Sequence, residues 1–267
     1  MSSNQSKITN FYEGYTQRTG EDNRANASRS DALEFHYTKK AMLPYVDKNT
    51  RILEVGCGTG YYGLFFADKC KDYLGIDLFP HHIEIFQDKI EKNALKNLSC
   101  QVGDATNLCG IESDCYDVVF CFGPMYHLPP LERERVFVEC KRVCKADGII
   151  AFAYINKIGV YVGACVHDHG REFYPSKKAN ETVLNGTDDL KPDIFFFTMP
   201  EEMEALAAKY DLTKIKNMGT DFFITQSVVN NMNDEKFALY MELADQMVNY
   251  ESCTGMSNHA LLICKNN

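Results

Sequence analysis

The chain has 267 residues, of which 45% are hydrophobic and 24% charged, and its formal net charge is −9. This length suits one α/β domain with insertions, and the acidic balance disfavours nucleic acid as a partner because phosphate backbones need a basic surface. No stretch is long and apolar enough to predict a membrane span, and residues 1–10 are too polar for a signal peptide. The 11 cysteines include no C-x-x-C pair, which favours reduced thiols in a cytoplasmic protein.

Residues 1–45 precede the first predicted strand and combine aromatic, polar and helical parts. The cluster at 11–15 contains Tyr12 and Tyr15, a polar stretch with three arginines follows, and residues 31–45 are predicted to form a helix that Asp31 caps. Two interpretations remain open at this point: the segment packs against the sheet, or it closes as a lid over a bound cofactor.

The chain is organised around a short apolar run that ends in alternating glycines. Residues 51–55 predict a buried strand, Gly56, Gly58 and Gly60 follow it, and residues 61–69 begin a helix. Strand, glycine turn and helix N-terminus together form a corner at which backbone N–H groups approach a bound nucleotide. Two patterns overlap here: G-x-G-x-x-G from Gly58 to Gly63, typical of dinucleotide binding, and an acid-first pattern that begins at Glu54.

The acid-first pattern resembles the first motif of the class I S-adenosylmethionine (SAM)-dependent methyltransferases, a doubly wound α/β family. A pyrophosphate would be repelled by Glu54, whereas the sulfonium and ammonium groups of SAM would be attracted to it, so charge favours SAM over NAD. The resemblance implies that Glu54, Gly56, Cys57, Gly58 and Gly60 contact the cofactor. We expect Cys57 to be a small residue that fits the turn and not a nucleophile.

Two further acids follow the next two predicted strands. Asp77 ends the strand at 73–77, where a carboxylate reaches the ribose of a bound nucleoside, and Leu78 is expected beside it. A helix-capping role for Asp77 is the alternative. Asp104 and Ala105 follow the strand at 99–102 and resemble the methyltransferase position that holds adenine. The amino group of adenine is a donor, so a carboxylate acceptor suits it.

The fourth predicted strand, 116–122, places Phe122 at the cofactor and leads to His127. The strand is almost continuously apolar, as expected for the centre of a parallel sheet. The Asn/Asp-Pro-Pro-aromatic sequence of many amino methyltransferases is absent, and the sequence that replaces it looks like that of small-molecule methyltransferases. His127 is the candidate catalytic residue, because it is titratable and lies at the predicted acceptor end.

The remainder of the chain is predicted to complete the sheet around two insertions. A fifth strand at 149–154 follows a helix at 131–144, and residues 156–200 then leave the simple α/β rhythm. His167 and His169 lack a third ligand at clear spacing, so no metal site is predicted. A helix at 200–209 and a sixth strand at 211–218 precede an insertion at 219–257 with a helix near 234–250. The last strand, from residue 259, is antiparallel in the family that the chain resembles.

The resemblance predicts a doubly wound, mostly parallel seven-stranded sheet in four parts. These are an N-terminal segment at 1–45, a SAM-binding core at 46–155, a cap at 156–200, and a C-terminal part at 201–267. The implied function is methyl transfer from SAM to a small-molecule acceptor, without nucleic acid or membrane as a partner. The alternatives are an NAD-dependent oxidoreductase and a SAM-binding protein that transfers no methyl group.

Overall fold

The computed structural model describes residues 3–18, 20–162, 177–186, 194–221 and 226–267. A seven-stranded sheet lies at the centre of this part of the chain. Its strands are β1 (Arg51–Val55), β2 (Asp72–Asp77), β3 (Leu98–Val102), β4 (Tyr116–Cys121), β5 (Cys144–Ile155), β6 (Leu212–Gly219) and β7 (His259–Asn266).

The strand order is β3-β2-β1-β4-β5-β7-β6. The first five strands pair in parallel, whereas β7 lies between β5 and β6 and is antiparallel to both. The predicted doubly wound sheet with an antiparallel last strand is therefore confirmed. The order reverses between β1 and β4, and in such sheets the ligand cleft opens at the carboxyl ends of the strands flanking this point.

Helices cover both faces of the sheet. In chain order they are α1 (Ser3–Arg18), α2 (Arg24–Ala27), α3 (Arg29–Met42), α4 (Tyr61–Phe66), α5 (Pro80–Lys92), α6 (Pro130–Val143), α7 (Lys157–Val162), α8 (Lys177–Asn185), α9 (Pro200–Lys209), α10 (Gln226–Asn230), α11 (Asp234–Met247) and α12 (Glu251–Thr254). Side chains alternate across each strand. Accordingly, Ile52 packs into one core with Phe86 of α5, and Leu53 packs into the other with Phe137 of α6.

Several boundaries differ from the sequence prediction for identifiable reasons. The cap of α3 is Ser28, whose hydroxyl accepts a hydrogen bond from the Asp31 N–H, so the prediction of Asp31 as the cap was wrong. Asp31 instead lies in the first turn and accepts a hydrogen bond from the Ser28 hydroxyl. Strand β5 begins at Cys144 and not at 149, because it continues directly from the end of α6. The pair His167 and His169 lies outside the described residues.

Candidate active site

One cavity of about 260 Å³ lies at the carboxyl ends of β1, β2, β3 and β4. Parallel strands end at the same edge of a sheet, so residues far apart in sequence meet there. The predicted site residues that line the cavity are Tyr12, Glu54, Gly56, Cys57, Gly58, Asp77, Leu78, Asp104, Ala105, Phe122 and His127. Gly60 is not part of its wall, and the side chain of Tyr15 lies outside the described residues.

The first two glycines of the turn have different surroundings, although both have positive φ angles. Gly56 has φ +84°, and a Cβ atom built on it would lie 2.3 Å from the carbonyl oxygen of Phe122. Gly58 has φ +51°, and its Cβ would meet nothing within 4 Å. Gly56 therefore allows β1 and the end of β4 to approach closely, and Gly58 leaves open space beside the cavity.

Gly60 serves the packing of the protein interior. Its φ is +84°, and an added Cβ would lie 2.0 Å from the ring of Phe86. Phe86 is fully buried on α5, so this glycine fits α5 against the start of α4. The three glycines thus have different roles. Gly56 allows a close backbone approach, Gly58 keeps the cavity wall open, and Gly60 makes room for an aromatic ring.

Glu54 is buried on β1 and carries a proton at neutral pH in the protein without ligand. It is 1% exposed, and the hydroxyl of Tyr73 donates a hydrogen bond to its carboxyl group. Burial raises the pKa of Glu54 to about 8, with a smaller contribution from Asp77, and outweighs the opposite effect of the Tyr73 hydrogen bond. The carboxyl group at the turn is therefore not the charged carboxylate that the sequence pattern indicates, because its burial cannot be seen in the sequence.

Asp77 joins the end of β2 to the glycine turn. Its Oδ2 accepts a hydrogen bond of 2.8 Å from the N–H of Gly58, and its Oδ1 accepts one of 2.9 Å from the N–H of Phe79. The N-cap position of α5 is Phe79, without a side-chain cap. Asp77 is therefore not the helix cap, although it orders the loop before the helix while facing the cavity.

Helix α1 forms one wall of the cavity and contacts Asp104. Its residues Gln5, Ile8, Thr9 and Tyr12 line the cavity, with the i, i+3, i+4, i+7 spacing of one helix face. The Gln5 amide donates a hydrogen bond to Oδ2 of Asp104, whose Oδ1 accepts from the N–H and hydroxyl of Thr106. The interpretation of residues 1–10 as a polar terminus missed this helix face.

His127 contacts Tyr12 of α1 and is buried, with 6% exposure. Its Nδ1 lies 3.1 Å from the carbonyl oxygen of Ile194, which can only accept a hydrogen bond. Nδ1 therefore carries the proton and donates a hydrogen bond to that oxygen. Its Nε2 then accepts a hydrogen bond of 2.7 Å from the hydroxyl of Tyr12. Burial lowers the pKa of His127 to about 4, although the Ile194 carbonyl opposes the shift, so the imidazole is neutral at pH 7.

A chain of alternating charges extends from the cavity wall to β7. Arg24 lies 3.1 Å from Glu21 and 3.6 Å from Glu34. Glu34 is 3.9 Å from His259, which is 2.6 Å from Asp221. Burial opposes the charge of His259, but Glu34 and Asp221 outweigh it and raise its pKa to about 9. The N-terminal helices are thus tied electrostatically to the C-terminal part of the sheet.

The comparisons with known proteins agree with this geometry. Residues 52–148 match the family model described as Methyltransferase domain. The chain is 25% identical over 153 residues to the probable methyltransferase ltbC of Aspergillus luteorubrus, covering 54% of this chain and 51% of that protein. It is 23% identical over 172 residues to the ubiquinone biosynthesis O-methyltransferase of Acinetobacter baylyi, covering 57% of this chain and 71% of that protein.

Residues 52–148 are thus similar to a methyltransferase domain, in agreement with the resemblance to the class I SAM-dependent methyltransferases. The fold is shared with a SAM-dependent methyltransferase from Mesorhizobium loti, with a TM-score of 0.61, 15% identity, and coverage of 88% of this chain and 99% of that one. The chain spans about half the length of the first relative named above. The comparisons lend no support to the NAD-dependent alternative.

SAM is the cofactor of this methyltransferase domain, and the cavity wall suits it chemically. Its donors, the ribose hydroxyls, adenine amine and ammonium, would meet the carboxyl groups of Asp77, Asp104 and Glu54. The wall also carries the apolar side chains of Leu78 and Phe122. These residues therefore fit the group that the family requires.

Other residues of the methyltransferase cavity were not anticipated from sequence. His82, Tyr62 and Tyr126 lie in its wall, as do Glu21 and Glu34. None occupies a defining position of a motif, since Tyr62 is one of the variable residues of the glycine pattern, and only their spatial neighbours reveal them. Among the described residues, no group of three or more metal-ligating side chains occurs. In that same part of the chain, no helix has both the length and the apolar character that a membrane crossing requires.

Proposed function

We propose that the protein transfers the methyl group of SAM to a small-molecule acceptor. The observation that carries this proposal is one cavity that contains the glycine turn, two strand-end acids and the hydrogen-bonded pair of Tyr12 and His127. A cavity of about 260 Å³ that α1 covers on one side favours a small acceptor over a macromolecular chain. The similarity to a ubiquinone biosynthesis O-methyltransferase agrees with a small acceptor but does not identify one.

The cofactor-binding roles follow from the chemistry of the wall. We assign the ribose to Asp77, the adenine amine to Asp104 and the amino acid end of SAM to the turn at Gly56 and Gly58. Leu78, Ala105 and Phe122 would supply apolar contacts to the adenosine, and Glu54 and Cys57 would lie beneath the turn. The raised pKa of Cys57, caused by burial, supports a packing role.

Two of the proposed segments converge on the acceptor end. Ile194 receives the hydrogen bond from His127, and the Phe196 N–H donates one of 2.9 Å to the carbonyl of Tyr126. Phe195 packs edge-on against Phe11 of α1 at 5.7 Å between ring centroids. These contacts support the assignment of residues 156–200 as a cap and of residues 1–45 as a cover of the acceptor site.

The protein's contribution to the reaction would be alignment and exclusion of water. When bound, SAM would supply an electrophilic methyl group that the acceptor atom attacks, with S-adenosylhomocysteine as the leaving group. Holding two reactants in line can supply on the order of 7–11 kcal/mol. Helix α1 closes the cavity over this line through Gln5 at one end and Tyr12 at the other.

His127 is the proposed catalytic residue, and its environment limits what it can do. Its neutral imidazole can accept a proton, but Nε2 is hydrogen-bonded to Tyr12. A pKa of about 4 makes it a weak base, suited to an acceptor that loses its proton as the methyl group arrives. Displacement of Tyr12 by the acceptor hydroxyl or amine would bring the two into contact.

Calorimetric titration with SAM, S-adenosylhomocysteine and NAD tests the proposal. We expect micromolar or tighter binding of the first two ligands and no measurable binding of NAD. A protein that bound NAD and not SAM would contradict the cofactor assignment. SAM binding without methylation of any candidate acceptor from a small-molecule library would favour the non-transferring alternative.

The second prediction is that α1 opens to admit the cofactor. It lines the cavity with four side chains and buries Ile8 there, so we expect it to move when a ligand enters. Amides of residues 8–30 should exchange hydrogen rapidly in the free protein and slow markedly with S-adenosylhomocysteine bound, as measured by mass spectrometry.

The central strands provide the internal control, because β4 should be protected with and without the ligand. Equal protection of residues 8–30 in both states would show that α1 is a fixed structural strap. In that case ligand entry would have to use another side of the cavity.

A further inference from the structure

His82 is a buried histidine in the cavity wall, and its outer ring nitrogen has no hydrogen-bond partner among the described residues. It lies in the first turn of α5, is 3% exposed and lines the cavity. Its Nε2 is buried and makes no hydrogen bond within the described part of the chain. A buried polar atom that is left unpaired destabilises the protein, because it has lost its hydrogen bonds to water. At the wall of a ligand cavity, such an atom indicates a missing ligand group.

The tautomer of His82 determines which kind of group is missing. Its Nδ1 lies 3.4 Å from Oδ1 of Asp77, and a carboxylate can only accept a hydrogen bond. Nδ1 therefore carries the proton in the neutral imidazole, and Nε2 presents a lone pair. The missing partner is consequently a hydrogen-bond donor.

The position of His82 in the fold selects among the donors that SAM offers. These donors are the ammonium group, the adenine amine and two ribose hydroxyls. In the proposed binding mode the ammonium lies at the turn after β1 and the amine lies at Asp104 after β3. His82 follows β2 and contacts Asp77, where a doubly wound sheet places the ribose. The ribose hydroxyls are therefore the donors within its reach.

Aromatic neighbours hold the imidazole in this orientation. The ring of Tyr12 packs edge-on against His82 at 5.2 Å between centroids, and the ring of Phe79 does so at 4.9 Å. Tyr12 belongs to α1, so the closed position of that helix also covers His82. A ligand hydroxyl at Nε2 would be shielded from water, which strengthens the selection for a donor.

We propose that His82 is a cofactor-binding residue that recognises the ribose of SAM. Its Nε2 accepts a hydrogen bond from one hydroxyl, while the carboxylate of Asp77 accepts one from the other. The two acceptors match the two donors of a ribose, so the site selects against a deoxyribose. This inference rests on the proposed function, because it assumes that SAM occupies the cavity.

Two substitutions separate the roles of the ring nitrogens. In His82→Asn, the side-chain amide can keep the contact with Asp77, but the short side chain does not reach the position of Nε2. In His82→Gln, the longer side chain places its amide at that position. We expect His82→Asn to weaken S-adenosylhomocysteine binding about tenfold and His82→Gln to weaken it less than threefold. His81→Asn is the matched control, because the neighbouring His81 side chain is 52% exposed, and it should bind as the wild type does.

Titration with the 2′-deoxy and 3′-deoxy analogues of S-adenosylhomocysteine identifies the bonded group. For the analogue lacking the hydroxyl that pairs with His82, His82→Asn should change the affinity less than twofold. The proposal would be overturned if His82→Asn bound S-adenosylhomocysteine as tightly as the wild type does. It would also be overturned if His82→Asn lowered the affinity for the 2′-deoxy and the 3′-deoxy analogue by the same factor as it lowers the affinity for S-adenosylhomocysteine.

The wild type provides a test that does not depend on the folding of a variant. Both deoxy analogues should bind it more weakly than S-adenosylhomocysteine, and equal binding of either one would overturn the ribose assignment. Failure of the wild type to bind S-adenosylhomocysteine at all would instead contradict the proposed function.

Discussion

Gly56→Ala should destabilise the protein strongly, whereas Gly58→Ala should leave it folded and weaken SAM binding. A methyl group at residue 56 would lie 2.3 Å from the Phe122 carbonyl oxygen and 2.7 Å from Pro124, at a φ of +84°. Backbone strain and overpacking together are expected to lower the free energy of unfolding by about 3–5 kcal/mol. At residue 58 only the strain applies, about 1–2 kcal/mol, because nothing lies within 4 Å.

The loss of affinity in Gly58→Ala follows from where its methyl group would lie. The open space beside Gly58 is part of the cavity, so the methyl group would occupy room that the cofactor needs. Urea unfolding and calorimetry measure the two effects separately. Gly110→Ala is the control, since no atom lies within 4 Å of its Cβ position and its φ is not positive. A Gly56→Ala protein as stable as that control would refute the close approach of β1 and β4.

SAM affinity should rise with pH between about 6 and 8, and Glu54→Gln should abolish this dependence. Glu54 is protonated in the free protein below its pKa of about 8, and the cationic cofactor favours the carboxylate. Binding therefore releases a proton, and the affinity can increase up to tenfold per pH unit below that pKa. A wild-type affinity that is independent of pH over this range would show that Glu54 keeps its proton in the complex.

The stability of the free protein should change in the opposite direction. The folded-state pKa of Glu54 is raised from 4.5 to about 8, so the stability that its carboxyl contributes is complete below pH 4.5 and is lost as pH rises through 8. Above pH 8 this loss is on the order of 5 kcal/mol. Glu54→Gln should therefore be more stable than the wild type at pH 9 and similar to it at pH 4, as measured by urea unfolding. Glu202→Gln is the control, because the Glu202 side chain is 51% exposed in its ion pair with Lys157.

Local sequence patterns were sufficient for the sheet and for the carboxyl ends of the strands that flank the cavity. Residues 51–55 were predicted as a strand with the bounds that β1 has, because a short apolar run followed by glycines allows few other structures. Asp77 and Asp104 were placed at strand ends by the same reasoning, and both reach one cavity. Parallel topology makes this possible, since it collects the carboxyl ends of the strands at one edge.

The state of the predicted side chains could not be inferred in this way. Sequence placed Glu54 and His127 at the site, but burial sets their charge, and burial depends on residues distant in the chain. Tyr73 covers Glu54 from β2, and Ile194 and Tyr12 enclose His127 from opposite ends of the sequence. The ordinary pKa values of the two groups were therefore a poor guide to their protonation.

The sequence by itself determined the fold class, the cofactor and the position of the glycine turn, because each depends on a short segment whose conformation is locally constrained. Only the tertiary structure decided the wall of the cavity opposite the sheet. That wall brings Gln5 and Tyr12 of α1 onto Asp104 and His127, and the buried Nε2 of His82 has no hydrogen-bond partner among the described residues. These contacts join residues about a hundred positions apart, and no local pattern specifies them, since they form only when the helix packs across the finished sheet.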